Sequence, residues 1–319
     1  MKSTTEREDR DFANKVIDDG VADDIIQDIR AILARDSSWV LEWVVTNFDP
    51  EDVYDDDALG AWAGKYGYRK LPQERIIDNK IELGGLEFIN IPAGKFLMGS
   101  KDDNNLAYDA EKPQHTVEIP YDYWIARYEV TNDQFAKFVE AAKYKFDQGK
   151  WQDKSDHPVV NVTWHDAMAY SKWLNETLRA ELGDQVVRLP TEAEWEKAAR
   201  GEYGNEWPWG NEFDPKKCNS SEGGKQGTTP VNAYSPQGDS PYGVSDMVGN
   251  VWEWTYSLRK SYPYKVDDGR ESETDSGVRV VRGGSWFNGA SVARCTCRNR
   301  DTPVLRNFGL GFRCVLRLL

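Results

Sequence analysis

Apolar residues recur along positions 11–33 at mixed spacings of three and four: Phe12, Val16, Ile17, Val21, Ile25, Ile26, Ile29, Ile32 and Leu33. That spacing predicts an amphipathic helix. A second apolar run, 38–48, carries Trp39, Leu41, Trp43, Val44 and Val45. Asp49-Pro50 ends it, because a residue before proline is pushed out of the helical region. Asp55-Asp56-Asp57 then opens a short helix through Trp62, with acids at its positive end. The texture changes near residues 70–80. Beyond Ile81, Gly, Pro, Asn and Asp punctuate long irregular runs, and the predicted helices are few. Thr131-x-x-Gln134 and Thr191-x-x-Glu194 are capping-box patterns that open helices over 135–142 and 193–200. The longest helix is predicted over 163–182, with Ala167, Ala169, Tyr170, Trp173 and Leu174 on one side. Short β-rich runs surround them at 87–91, 115–119, 279–283 and 311–316. The pattern predicts an acidic helical region over 1–75, then a loop-rich α+β domain over 80–319.

Charge sharpens this division. The chain of 319 residues carries a net charge of −14. Residues 1–60 hold 17 acids and 6 bases, whereas residues 279–319 hold eight Arg and one Asp. An acidic head and a basic tail predict surfaces with different tasks. An overall acidic balance argues against a nucleic-acid partner. No run reaches about 18 apolar residues, so no membrane span is expected. The first residues lack the apolar core of a secretory signal. With four Cys, this predicts reduced thiols and a cytoplasmic protein.

Particular motifs then stand out. They include Phe88-Ile89-Asn90-Ile91-Pro92-Ala93-Gly94 running to Met98-Gly99-Ser100, Glu129-Val130-Thr131-Asn132, and His157-Pro158-Val159-Val160-Asn161-Val162. Arg188-Leu189-Pro190-Thr191-Glu192, Trp207-Pro208-Trp209-Gly210-Asn211, Val248-Gly249-Asn250-Val251-Trp252-Glu253-Trp254, Arg282-Gly283-Gly284-Ser285-Trp286 and Gly311-Phe312-Arg313-Cys314 follow. In this order they resemble the formylglycine-generating-enzyme family, also called sulfatase-modifying factor domains, a branch of the C-type-lectin-like fold. Trp195, Trp207, Trp209, Trp252 and Trp254 are then expected as core plates under long loops, each burying an indole N–H that needs a partner.

The resemblance implies several chemistries, which the residues test one by one. The family's oxidases hold copper with two cysteines shortly after Arg-Gly-Gly-Ser, where soft thiolates suit Cu(I). Here Asn288 and Ala293 fall near those places. Cys295 and Cys297 come later, so no copper is expected. The secreted enzymes' disulfides would involve Cys295 and Cys314, but the implied partner positions hold Ala199 and Ser171. A sulfur–carbon-bond-forming branch uses iron on three His. The three His here, His115, His157 and His165, sit singly, so no iron is expected either. Calcium is implied near the Gly-Asn-x-Trp-Glu-Trp motif, with Asp246, the carbonyls of Gly249 and Val251, and Glu253 as ligands. Oxygen donors of this kind suit a hard cation.

The tail carries a separate signal. Lys, Glu, Gln, Met and Trp make up 69 of the 319 residues. About five would be expected across the 24 positions 287–310, and none occurs. Those five amino acids are the ones that an Asn codon AAY cannot become by substitution at its adenines. The segment thus resembles the variable region of diversity-generating retroelement proteins. That implies a diversified binding surface at Phe287, Asn288, Gly289, Ser291, Val292, Cys297, Asn299, Leu305, Phe308 and Gly309. The function expected is non-catalytic binding of a protein or other macromolecular ligand at this C-terminal surface. The alternatives are a copper oxidase acting on protein cysteine, or another non-catalytic family member.

Overall fold

The computed structural model describes residues 80–146, 154–202 and 204–318. The chain divides into two units, Met1–Ile77 and Asp78–Leu319. The helices expected within 1–75 lie outside the described residues.

A five-stranded sheet forms the centre of the second unit. Its strands are β1 (Lys80–Leu83), β2 (Leu86–Ile91), β5 (Tyr123–Ala126), β6 (Gln185–Arg188) and β11 (Val315–Leu318). They lie in the order β1-β2-β5-β11-β6, all antiparallel. Alternate residues of a strand point to opposite faces, and both faces here are apolar. Leu86, Phe88, Ala126 and Leu316 join one core cluster, while Ile89, Ile91, Ile125 and Val315 join another. The sheet is a wall between two cores.

Helices α1 (Asn132–Ala141) and α2 (Trp164–Thr177) contribute Phe135, Phe138, Tyr170 and Leu174 to the first core. Thr131 and Thr163 cap these helices, each accepting from the backbone N–H three residues on. The predicted 163–182 helix breaks at Leu178 into α2 and a single turn, α3 (Arg179–Leu182). Helix α4 (Glu192–Arg200) places Ala193, Trp195, Ala198 and Ala199 in the second core. Its capping box closes as expected, with Thr191 Oγ1 accepting from Glu194 N and Glu194 Oε2 accepting from Thr191 N.

A second sheet has the order β10-β7-β8-β9, made of Leu310–Gly311 (β10), Trp252–Leu258 (β7), Arg279–Arg282 (β8) and Arg298–Asp301 (β9). Strands β3 (Gly94–Met98) and β4 (His115–Ile119) form a separate hairpin. The expected strand over 311–316 is two strands in different sheets: β10 pairs with β7, and β11 pairs with β5 and β6. Between them the chain crosses from sheet to sheet and inserts Arg313 against Glu253.

Of the expected tryptophan plates, Trp195, Trp207, Trp252 and Trp254 are buried and Trp209 is half-buried. The indoles of Trp195 and Trp254 donate to Glu253 Oε2 and the Val162 carbonyl at 2.9 and 3.0 Å. Trp207 Nε1 has no hydrogen-bond partner among the described residues.

Candidate ligand-binding site

The basic tail is mostly internal. Arg279, Arg282, Arg294, Arg298 and Arg313 are buried, so five of the eight tail arginines are interior struts. The expected basic surface is therefore corrected. Arg282 bonds Glu196 and donates to the carbonyls of Cys295, Thr296 and Cys297. Arg294 pairs with Glu111 and Glu206, and Arg298 forks onto both oxygens of Glu192 at 2.6 Å. A guanidinium has five donors in a fixed fork, so each strut satisfies several loop carbonyls at once. These irregular loops have no strand ladder to do so.

Over this frame lies a pocket of about 450 Å³. Phe287, Asn288, Val292, Cys297 and Asn299 line it, so half of the residues expected from the tail converge here. Phe308 is outside the lining but stacks near it: Trp286, Phe287 and Phe308 form an aromatic trio with ring centres 5.2–5.8 Å apart. Phe287 is 37% and Phe308 56% exposed. Ser291 is exposed, and its carbonyl accepts from Arg294 Nε. Leu305 packs on the first core.

Three of the expected positions, Asn288, Gly289 and Gly309, are tied into the frame. Asn288 Oδ1 accepts from Ser285 N and Oγ at 3.0 and 2.8 Å, pinning the turn. A Cβ on Gly309 would stand 2.5 Å from the Phe287 ring, and one on Gly289 would stand 2.8 Å from Glu222 Oε1. Sequence reasoning missed Tyr108, Ala110, Asp301 and Asn307 in the lining, and placed Trp252 only in the core. Tyr108 comes from a loop nearly two hundred residues away, and nothing local marks it.

The cysteines also find their places. Cys295 belongs to the second core and Cys297 to the first, so the two side chains diverge across the frame. Burial pushes the Cys297 thiol up to about 12, which keeps it neutral. Ala293 is fully buried, and Ser171 Oγ lies 3.8 Å from Cys314 Sγ. Ala199 shares the second core with Cys295. The two pairs occupy the positions at which the resemblance implied disulfides.

The residues implied for calcium fit only in part. Asp246 is buried in a left-handed turn, φ +54°, and neither carboxylate oxygen has a hydrogen-bond partner among the described residues. Burial pushes its carboxyl well above the usual range. Glu253, by contrast, is gripped by Arg313 through Nε and Nη2 at 2.7 and 2.8 Å, and by the Trp195 indole. Gly249 has φ +80°, and a Cβ there would stand 2.4 Å from the Asn219 carbonyl oxygen. Glu129 Oε2 is another buried oxygen without a hydrogen-bond partner among the described residues, 3.9 Å from Arg313 Nη2. Among the described residues, no three His, Cys, Asp or Glu side chains are grouped to hold a metal. The three histidines serve local contacts: His115 bridges the Pro113 carbonyl and Tyr264 N–H, His157 meets Thr228 Oγ1, and His165 lies against Trp164.

The family sequence model for the sulfatase-modifying factor enzyme 1-like domain matches residues 77–318. The chain belongs to this family. Its domain is α+β with the C-type-lectin-like fold. It is 33% identical to the formylglycine-generating enzyme of Thermomonospora curvata, over 71% of this chain and 92% of that protein. It is 32% identical to the inactive C-alpha-formylglycine-generating enzyme 2 of Bos taurus, over 73% and 90%. Sulfatase-modifying-factor domains thus include both active and inactive proteins. Among solved structures, the Treponema denticola variable protein 1 aligns with a TM-score of 0.60 at 25% identity, covering 76% of this chain and 99% of that one. Among the described residues, no helix is long and apolar enough to cross a membrane.

Proposed function

We propose that this protein is a non-catalytic binder whose 287–310 segment is a diversified surface for a protein or other macromolecular ligand. The observation that carries this reading is a coincidence of composition and geometry. The one segment free of Lys, Glu, Gln, Met and Trp supplies nine lining residues of one pocket, Phe287 among them, and the Phe308 ring beside it. Exposed aromatics around a concavity are the anchors from which binding surfaces draw most of their energy. The likeness to a variable protein supports the same reading. Calcium at Asp246, with the carbonyls of Gly249 and Val251, is proposed as a structural ion, and Glu253 would join it only while also holding Arg313. Buried neutral thiols suit a reducing, cytoplasmic setting.

Sequencing the gene from many isolates tests the reading. Substitutions should concentrate at Phe287, Ser291, Val292, Asn299, Leu305 and Phe308, and should avoid Lys, Glu, Gln, Met and Trp. Gly309 and Cys297 should vary less, because their surroundings are tight. Frequent Lys or Glu at the exposed positions would sink the proposal.

A further inference from the structure

A larger cavity of about 770 Å³ lies elsewhere in the domain and shares no lining residue with the tail pocket. Its size is within the range of small-molecule sites. Helix α2 and strand β6 supply part of its wall through Met168, Val186 and Val187. Three tyrosines line it, Tyr121, Tyr256 and Tyr264, together with Glu271 and Glu273. Each phenol donates to a carboxylate: Tyr121 to Glu194 at 3.1 Å, Tyr256 to Glu273 at 3.3 Å and Tyr264 to Glu271 at 2.7 Å.

The charges in this wall are matched on one side only. Arg188 is held by both oxygens of Glu194 at 2.7 Å, Lys172 lies 3.9 Å from Glu176, and Arg317 stacks 4.2 Å from the Tyr121 ring centre. Each base thus has a counterpart. Glu271 and Glu273 have no ion-pair partner among the described residues. Glu271 accepts only from the neutral hydroxyls of Ser257 and Tyr264. The two glutamates thus lack a paired cation, although Arg188 and Arg279 act on Glu271 from beyond ion-pair distance. Of the rings beside them, Tyr264 already carries Arg270 4.3 Å from its centre, whereas no cation stacks on Tyr256 among the described residues. A ring face attracts a cation within about 6 Å of its centre, most strongly where water is displaced.

We propose that this cavity binds a small organic cation, a protonated amine seated among Tyr256, Tyr264, Glu271 and Glu273. A bare metal ion suits the site poorly. Hard cations need six or more oxygen ligands, and the oxygens of Glu271 already accept three hydroxyl contacts. An ammonium group on an apolar body can use the carboxylates and the rings together.

Calorimetric titration of the full chain tests this with two probes, phenethylamine and its neutral analogue 2-phenylethanol. The amine should bind saturably, and the alcohol about tenfold more weakly or not at all. Glu271→Gln should weaken amine binding about tenfold. Glu273→Gln, at the exposed rim, should weaken it about twofold and spares the fold if the first variant is unstable. Burial holds the Glu271 carboxyl near 7, so amine affinity should rise from pH about 6 to about 8 as the site ionises. Absence of saturable binding at millimolar amine, equal affinity for the two probes, or an amine affinity unchanged in both variants would each overturn the proposal.

Discussion

Asp246 is a carboxyl with no donor at either oxygen among the described residues. A buried charge left alone is costly, so the group must either keep its proton or take a cation. If Ca²⁺ binds only the native state, a concentration 100 times Kd should add about 2.7 kcal/mol. Metal-stripped protein should therefore melt at a higher temperature with Ca²⁺ than with chelator, and coincident curves would remove the ion from the account. Glu271 is the second informative acid. Burial raises its carboxyl to about 7, whereas an unfolded glutamate titrates near about 4.3. The folded state therefore keeps a proton that the unfolded chain releases. This contribution to stability is fully present below pH about 4 and is lost as pH rises through about 7. Denaturant titrations across that window should show the slope in the wild type and lose it in Glu271→Gln.

At the scale of elements, the arginine struts replace the hydrogen-bond ladders that loops lack. Arg282 leaves β8 and serves Glu196 on α4 together with three successive carbonyls of the tail. Removing it leaves those carbonyls without this donor and takes one of two guanidinium partners from the buried Glu196, which keeps Gly99 N, Arg200 and the Tyr262 hydroxyl. Arg282→Met should cost about 3–5 kcal/mol. Arg300, exposed on neighbouring β9, gives the contrast: Arg300→Met should stay within about 0.5 kcal/mol. Equal losses in chemical denaturation would show that the struts do not carry the fold. The same logic explains how a tail could vary while its frame persists. Arg294 and Arg298 are anchored to Glu111, Glu206 and Glu192, which lie far outside the segment.

For the whole molecule, the two readings divide at the thiols. Neither Asn288 nor Ala293 can act as a soft ligand, and Cys295 and Cys297 face different cores. Incubation with copper and a sulfatase-type cysteine peptide should yield no aldehyde. Aldehyde that disappears in Cys297→Ser would restore the oxidase. The binding reading makes the complementary prediction that the surface can change without the fold. Phe308→Ala removes an exposed ring beside the pocket and should cost less than about 1 kcal/mol in thermal melts.

The sequence alone determined those parts whose signal is local. Capping boxes at Thr131 and Thr191 marked two helices, and a short β-rich run marked the strand His115–Ile119. Motif order gave the family, and a missing set of amino acids pointed to the tail. Tertiary structure decided what depends on distant partners. Local pattern could not show that 311–316 would split between two sheets, because each half is paired by a different remote strand. Nor could composition reveal that the tail's arginines turn inward, since their carboxylates come from residues up to 183 positions away. Tyr108 entered the pocket for the same reason: a lining is made by chain crossings, and a crossing leaves no periodicity in either segment.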